Sequence, residues 1–120
     1  MHQKGYIVIV ETDDLIRELL ERWLGEAGYA VVAGAPTTPA SQERARLVIV
    51  NVSKPRNAGA LIRTLESAYA APVLAVSARF RRGLGASADA ARRLGACKVL
   101  PKPFTRAELL AAVRESIEDP

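Results

Sequence analysis

The chain is poor in cysteine, histidine and aromatic residues, the residue types that form disulfides, bind zinc and stack on nucleic-acid bases. Its 120 residues include one cysteine, one histidine and six aromatic residues. Because Cys97 stands alone, no disulfide can form within the chain, and a reducing cytoplasm is the natural setting. No zinc-ligand spacing, phosphate-binding glycine loop, dinucleotide fingerprint or nucleophile elbow is present.

Long hydrophobic runs are also absent. The longest extend over five or six residues, as in YIVIV at 6–10, whereas a membrane-spanning helix needs about 20. The N-terminal MHQKGYIVIV has too short an apolar run for a signal peptide and lacks a small-residue cleavage site. We therefore predict no membrane insertion and a cytoplasmic location. The length predicts a single domain, residues 1–120.

Positive charge is concentrated in one segment. The net charge is +4, yet residues 79–102 hold seven basic residues against Asp89 alone. Such a segment can attract acidic partners or nucleic acid, or it can be an ordinary solvated helix face. Because Phe80 is its only aromatic residue, single-strand binding by base stacking is disfavoured. The basic residues are Arg79, Arg81, Arg82, Arg92, Arg93, Lys98 and Lys102.

Two kinds of segment alternate along the chain. Short β-branched runs at 6–10, 30–34, 47–51, 72–76 and 98–100 are typical of buried parallel strands. Helical patterns occupy 13–27 and 57–70, a third begins near Ala86, and a last one opens with the capping box Thr105–Glu108. The segment 37–45 has room for a short helix only. Five β–α units predict an α/β fold, a parallel sheet with helices on both faces.

Ligand sites in such sheets lie beyond the carboxyl ends of the strands. The residues at those ends are Glu11 and Thr12, then 51–55, Ser77 and Ala78, and 101–104. In that order they resemble the receiver domain of bacterial two-component response regulators. The resemblance covers nearly the whole chain and is strongest in LGACKVLPKPF at 94–104, supported by VSA at 76–78 and NVSKP at 51–55. It implies a flavodoxin-like, doubly wound (βα)5 fold with strand order 2-1-3-4-5.

The resemblance also assigns site positions. Lys102 and Ser77 match the lysine and the hydroxyl that contact the phosphoryl group in the family. Asn51 occupies the position of the phosphoaccepting aspartate, and Glu11 and Thr12 occupy the position of the acidic pair that holds Mg²⁺. Val99 replaces the aromatic residue that turns inward on activation. Three of the family's functional positions therefore depart from its pattern.

These departures predict an atypical receiver. An amide oxygen cannot form an acyl phosphate, so Asn51 is not a phosphoryl acceptor, and Mg²⁺ binding is expected to be weak or absent. We predict a non-enzymatic domain of two-component or phosphorelay signalling that acts through phosphorylation-independent protein contacts. Its surface would be that of the fourth helix, fifth strand and fifth helix, with self-association as one option. The basic residues expected there or beside it are Arg79, Arg81, Arg82, Arg92, Arg93, Lys98 and Arg106.

Three alternatives stay open at this point. The chain could be a conventional Mg²⁺-dependent receiver phosphorylated on Asp13 or Asp14. It could be a nucleic-acid-binding module that uses the basic segment 79–102, although nucleic acid is the less favoured partner. A small ligand could also occupy the altered pocket.

Overall fold

The computed structural model describes residues 5–34, 44–54, 58–80 and 84–118. Its strands are β1 (Gly5–Val10), β2 (Val31–Ala33), β3 (Arg44–Asn51), β4 (Val73–Ser77) and β5 (Lys98–Pro101). Its helices are α1 (Asp14–Glu26), α2 (Gly59–Tyr69), α3 (Leu84–Leu94) and α4 (Arg106–Glu118). The predicted short helix at 37–45 lies largely outside the described residues. None of the described helices is long and apolar enough to cross a membrane.

The five strands form one parallel sheet in the order β2-β1-β3-β4-β5. This confirms the predicted flavodoxin-like order. Helices α2 and α3 cover one face of the sheet, and α1 and α4 cover the other. Because both faces are covered, the central strands are apolar on both sides, which explains their continuous runs of valine, isoleucine and leucine. Ile7, Ile49 and Leu109 are fully buried on the α1–α4 face.

Residues at each end of helix α1 set where it begins and ends. The Asp13 side chain is the N-cap, and its Oδ1 accepts hydrogen bonds from the backbone N–H groups of Leu15 and Ile16 at 2.9 and 3.1 Å. A cap of this kind stabilises a helix by about 1 kcal/mol. At the other end Gly28 has a φ of +100°, a conformation that glycine adopts without strain. Both signals were readable from the sequence.

Helix α4 carries the predicted capping box. The Thr105 Oγ accepts from the backbone N–H of Glu108 at 3.0 Å, and Glu108 Oε1 accepts from the backbone N–H of Thr105 at 2.9 Å. Two backbone donors of the first turn are satisfied reciprocally. This box fixes the residue at which α4 begins after β5.

Helices α2 and α3 each begin within about two residues of the predicted start. Helix α2, predicted over 57–70, extends over Gly59–Tyr69 and so ends as predicted, with Ala70 as a left-handed C-cap at φ 52° and ψ 45° although no glycine marks that position. Helix α3 begins at Leu84, about two residues before the predicted start, so that Gly85 lies inside the helix. A glycine weakens a helix but does not forbid it, and α3 packs against the sheet at Ala90, Ala91 and Leu94.

Candidate functional site

Three side chains from different strand ends meet at the carboxyl edge of the sheet. Glu11 follows β1, Asn51 ends β3 and Lys102 follows β5. All three line one small cavity, whose other walls are apolar residues of the α1–α4 face, among them Ile16 and Phe104. The structure therefore brings together three of the predicted site residues.

Glu11 is the buried charge of this site. Only 3% of its side chain is exposed. Its Oε2 accepts a hydrogen bond from the backbone N–H of Asp13 at 3.0 Å, and its Oε1 lies 3.8 Å from the Lys102 Nζ. The guanidinium of Arg17 donates to the Glu11 backbone carbonyl at 3.4 Å. One carboxylate oxygen is thus committed to the helix start, and the other faces the ammonium.

Lys102 is held by its backbone as much as by its charge. Its N–H donates to the Ser77 carbonyl at 3.0 Å, and a cis peptide bond joins it to Pro103. Its side chain is 25% exposed. The 3.8 Å separation from Glu11 is an ion pair but is too long for a hydrogen bond. Among the described residues the recorded side-chain contact of Lys102 is this ion pair, and no hydrogen bond joins it to the Asn51 side chain.

Ser77 ends β4, and Val99 lies on the other face of the sheet. Ser77 is buried, and its Oγ accepts from the backbone N–H of Arg79 at 3.1 Å, which ties the loop after β4. Val99 is 4% exposed and packs within the cluster formed with α2 and α3. The sheet therefore separates the switch position, Val99, from the pocket of Glu11, Asn51 and Lys102, and Ser77 is not among the residues that line that pocket.

The remaining acids near the site are already engaged. Asp13 caps α1, and Asp14 forms an ion pair with Arg17 at 2.8 Å on the surface. Thr12, the second position of the expected acidic pair, is exposed. Glu11 is the one carboxylate that lines the cavity among the described residues.

The basic surface is less basic than its sequence suggests. Arg92 pairs with Asp89, Lys98 pairs with Glu115 at 3.0 Å and Arg106 pairs with Glu26 at 3.3 Å. Arg79 and Arg93 are exposed. Arg81 and Arg82 lie outside the described residues. The Lys98–Glu115 and Arg106–Glu26 ion pairs each join two different elements, so they could not be read from local sequence.

A wide groove runs along β5 between α3 and α4. Small residues on both helices form its walls, including Ala88 and Ala111, and Lys98 and Glu115 stand at its rim. Cys97 lies on its floor. The residue is exposed as a whole, but its surroundings desolvate the sulfur enough to raise the pKa of the thiol, so it is not an activated nucleophile. Helix α3, β5 and α4 are the fourth helix, fifth strand and fifth helix of the sequence prediction, so the groove lies on the surface named there, although the groove itself was not predicted.

A parallel sheet in the order 2-1-3-4-5, with an acid, an amide and a lysine at its strand ends and a buried hydroxyl at the end of β4, has the arrangement of a signalling-receiver domain. The model of the response regulator receiver domain family matches residues 7–114. The chain belongs to this family, which functions in two-component signalling.

Individual relatives agree with this assignment. The chain is 36% identical over 121 residues to the transcriptional regulatory protein GltR of Pseudomonas aeruginosa, with 90% of the chain and 47% of GltR covered. It is 33% identical over 118 residues to protein PetR of Rhodobacter capsulatus, with 90% and 46% covered. A response regulator structure from Thermotoga maritima superposes with a TM-score of 0.73 at 19% identity, covering 97% of this chain and 99% of that one. The chain spans about half the length of the curated relatives it matches.

Proposed function

We propose that this receiver domain signals without phosphorylation, as a protein-interaction module whose pocket is closed to phosphotransfer. The observation that carries the proposal is the amide of Asn51 at the carboxyl end of β3, beside Glu11 and Lys102. A carboxylate attacks phosphorus because it carries charge and yields an acyl phosphate. An amide oxygen has a delocalised lone pair and no comparable product.

The donors in the pocket do not fit Mg²⁺. This ion requires several hard oxygen ligands in near-octahedral geometry at about 2.0–2.1 Å. Glu11 is the one carboxylate lining the cavity; one of its oxygens already accepts from Asp13, and the other faces the Lys102 ammonium. In the described part of the chain no three His, Cys, Asp or Glu residues cluster as a metal site would. The Lys102 ammonium balances the Glu11 charge in place of a metal ion.

Phosphorylation of another acid is disfavoured by the same contacts. Asp13 accepts two backbone hydrogen bonds as the cap of α1, and Asp14 is paired with Arg17 at the surface. Modifying Asp13 would remove the cap from the helix that orients Glu11. Neither acid lines the cavity that Lys102 reaches.

The interaction surface that we propose is the groove between α3, β5 and α4. Its alanine walls let another protein approach closely, and Arg92, Lys98 and Glu115 at its rim offer charges of both signs. A surface of mixed sign suits a protein partner or a second copy of the chain better than a polyanion. Pairing of the basic residues with acids also weakens the case for nucleic acid. A cytoplasmic location and the lack of enzymatic activity belong to this proposal.

The groove is expected to keep one conformation. Val99 fills its position in the core and has a stiff χ1, so no aromatic ring is available to swing inward behind it. Ser77 is tied to the Arg79 N–H, which holds the loop after β4. Amide-resonance mapping with beryllofluoride and Mg²⁺ should therefore show no concerted shifts across Ser77, Val99 and α3.

The direct test is intact-mass spectrometry after incubation with a small phosphodonor and Mg²⁺. The mass should stay unchanged, with a conventional receiver domain treated in parallel as the positive control. Addition of one phosphoryl group that hydroxylamine removes would show that an acyl phosphate forms, and the proposal would fail.

A further inference from the structure

Helix α1 presents an apolar ridge to solvent. Leu15, in its first turn, is 78% exposed. Leu19 and Trp23 follow at intervals of four residues and are half-buried. Residues four apart lie on the same side of a helix, so the three form one line along α1, the α1 ridge. Leu15 is the exposed end of that ridge and not a single apolar residue among polar ones.

Acidic residues run beside the α1 ridge. Asp14, Glu18 and Glu21 recur at helical spacing and therefore share one edge of α1. Glu18 is exposed, and the Asp14 side chain is 77% exposed although it pairs with Arg17. The outward surface of α1 is thus apolar along its middle and acidic along one edge.

The groove between α3, β5 and α4 has the complementary form. Its space is about 800 Å³, and Ala88 of α3 and Ala111 of α4 are among its walls. Arg92 lines its α3 side and stays 74% exposed although it pairs with Asp89. The neighbouring Arg93 is exposed as well. A groove with small side chains on its walls and positive charge along one edge fits an apolar helix ridge that has an acidic edge.

We infer that the α1 ridge of one copy of this chain docks in the α3–β5–α4 groove of a second copy. Leu15 enters between the alanine walls, and the acidic edge of α1 lies along Arg92 and Arg93. A ridge fills a groove, whereas two grooves placed face to face leave an unpacked space between them. The inference rests on the proposed function, because it names the partner of the groove proposed there.

The contact is heterologous, since it joins two different surfaces of the same chain. Each copy keeps a second surface for a further neighbour, so assembly proceeds past the dimer to a ring or an open chain. The charges that meet are exposed in the single copy, and added salt therefore weakens the contact.

Sedimentation equilibrium at rising protein concentration and low salt is the first measurement. The parent should form species larger than a dimer, and added salt should reverse their formation. Leu15→Ala should weaken association by at least about tenfold, because the apolar area buried by the leucine is lost. Val32→Ala is the matched control: Val32 is the other large apolar residue exposed among the described ones, at 48%, and it lies on β2. This control should associate as the parent does.

Mixing two variants tests whether ridge and groove meet. Leu15→Glu removes the ridge, and Ala88→Glu places bulk and negative charge in the groove. Each variant should be monomeric alone, with amide spectra as dispersed as those of the parent. A mixture should form a one-to-one complex that stops at two copies, because each variant retains the surface that the other lacks. A monomeric parent, dimers of Leu15→Glu, or a mixture without a complex would overturn the inference.

Failure of the inference and failure of the proposed function are distinguishable. A parent that stays monomeric at every concentration, yet keeps its mass with the phosphodonor, would overturn self-docking alone. A parent that assembles through Leu15, yet takes up a phosphoryl group with Mg²⁺, would overturn the proposed function alone.

Discussion

Removing the ammonium of Lys102 should destabilise the domain, because the buried carboxylate of Glu11 would lose its counter-charge. At 3.8 Å and an effective dielectric constant of about 20, the attraction between the two charges is about 4 kcal/mol before any opposing term. Lys102 is 25% exposed, so water screens part of that attraction, and its side chain regains rotamer freedom on unfolding. We expect a net loss of about 1–2 kcal/mol. This lies between an exposed pair, at most about 1 kcal/mol, and a dry pair, about 3–5 kcal/mol.

The measurement is urea unfolding of four proteins: the parent, Lys102→Met, Glu11→Gln and the double variant. Methionine keeps the apolar stem of the lysine, so the loss reports the charge and not the packing. The coupling energy from this cycle should be about 1 kcal/mol.

Lys98→Met is the matched control for this cycle. The Lys98–Glu115 pair is shorter, at 3.0 Å, but its side chains are 36% and 57% exposed. Loss of the Lys98–Glu115 pair should lower the free energy of unfolding by less than about 0.5 kcal/mol. A coupling energy near zero for Glu11 and Lys102, or an equal effect in the control, would refute the argument from burial.

Three further changes test other parts of the structure. Gly34→Ala should cost about 1–3 kcal/mol in urea unfolding, because the added Cβ would overlap the buried Val8 Cγ1 and stand 2.7 Å from the Tyr69 hydroxyl; parent-like stability would mean that the backbone there can shift. Thr105→Ala removes the α4 cap and should cost about 1 kcal/mol, with faster amide exchange confined to the first turn. Asn51→Asp combined with Thr12→Asp should bind Mg²⁺ more tightly than the parent in calorimetry, and Asn51→Asp alone should gain less; equal affinities in all three would contradict our account of the missing acids.

Features set by residues close in sequence were readable before the structure. The N-cap and glycine end of α1 and the capping box of α4 depend on contacts between near neighbours in the chain. The buried strands were readable because a sheet covered on both faces demands continuous apolar runs, and β1, β4 and β5 fall within a residue of their predicted bounds. The assignment of Glu11, Asn51 and Lys102 to one edge followed from strand ends in a parallel sheet.

Features that depend on contacts between residues far apart in the sequence could not be predicted. β3 begins at Arg44, three residues before the apolar run, because its first residues pair with Gly5 and Tyr6 of β1 across an irregular register. The end of α2 near residue 70 was predicted, but the left-handed conformation of Ala70, which its side chain disfavours, was not. The next residue, Ala71, is buried in the core on the α2–α3 face.

The sequence by itself determined which chemical groups stand at the strand ends: one carboxylate, one amide, one hydroxyl and one lysine. It also determined that the third strand ends without the carboxylate needed for an acyl phosphate. Only the tertiary structure decided how these groups meet. The pleat sends Glu11, Asn51 and Lys102 to the α1–α4 face while Val99 packs on the other. Chain folding also sets the 3.8 Å between Glu11 and Lys102, since charges 91 positions apart are brought together by the sheet and not by any local rule.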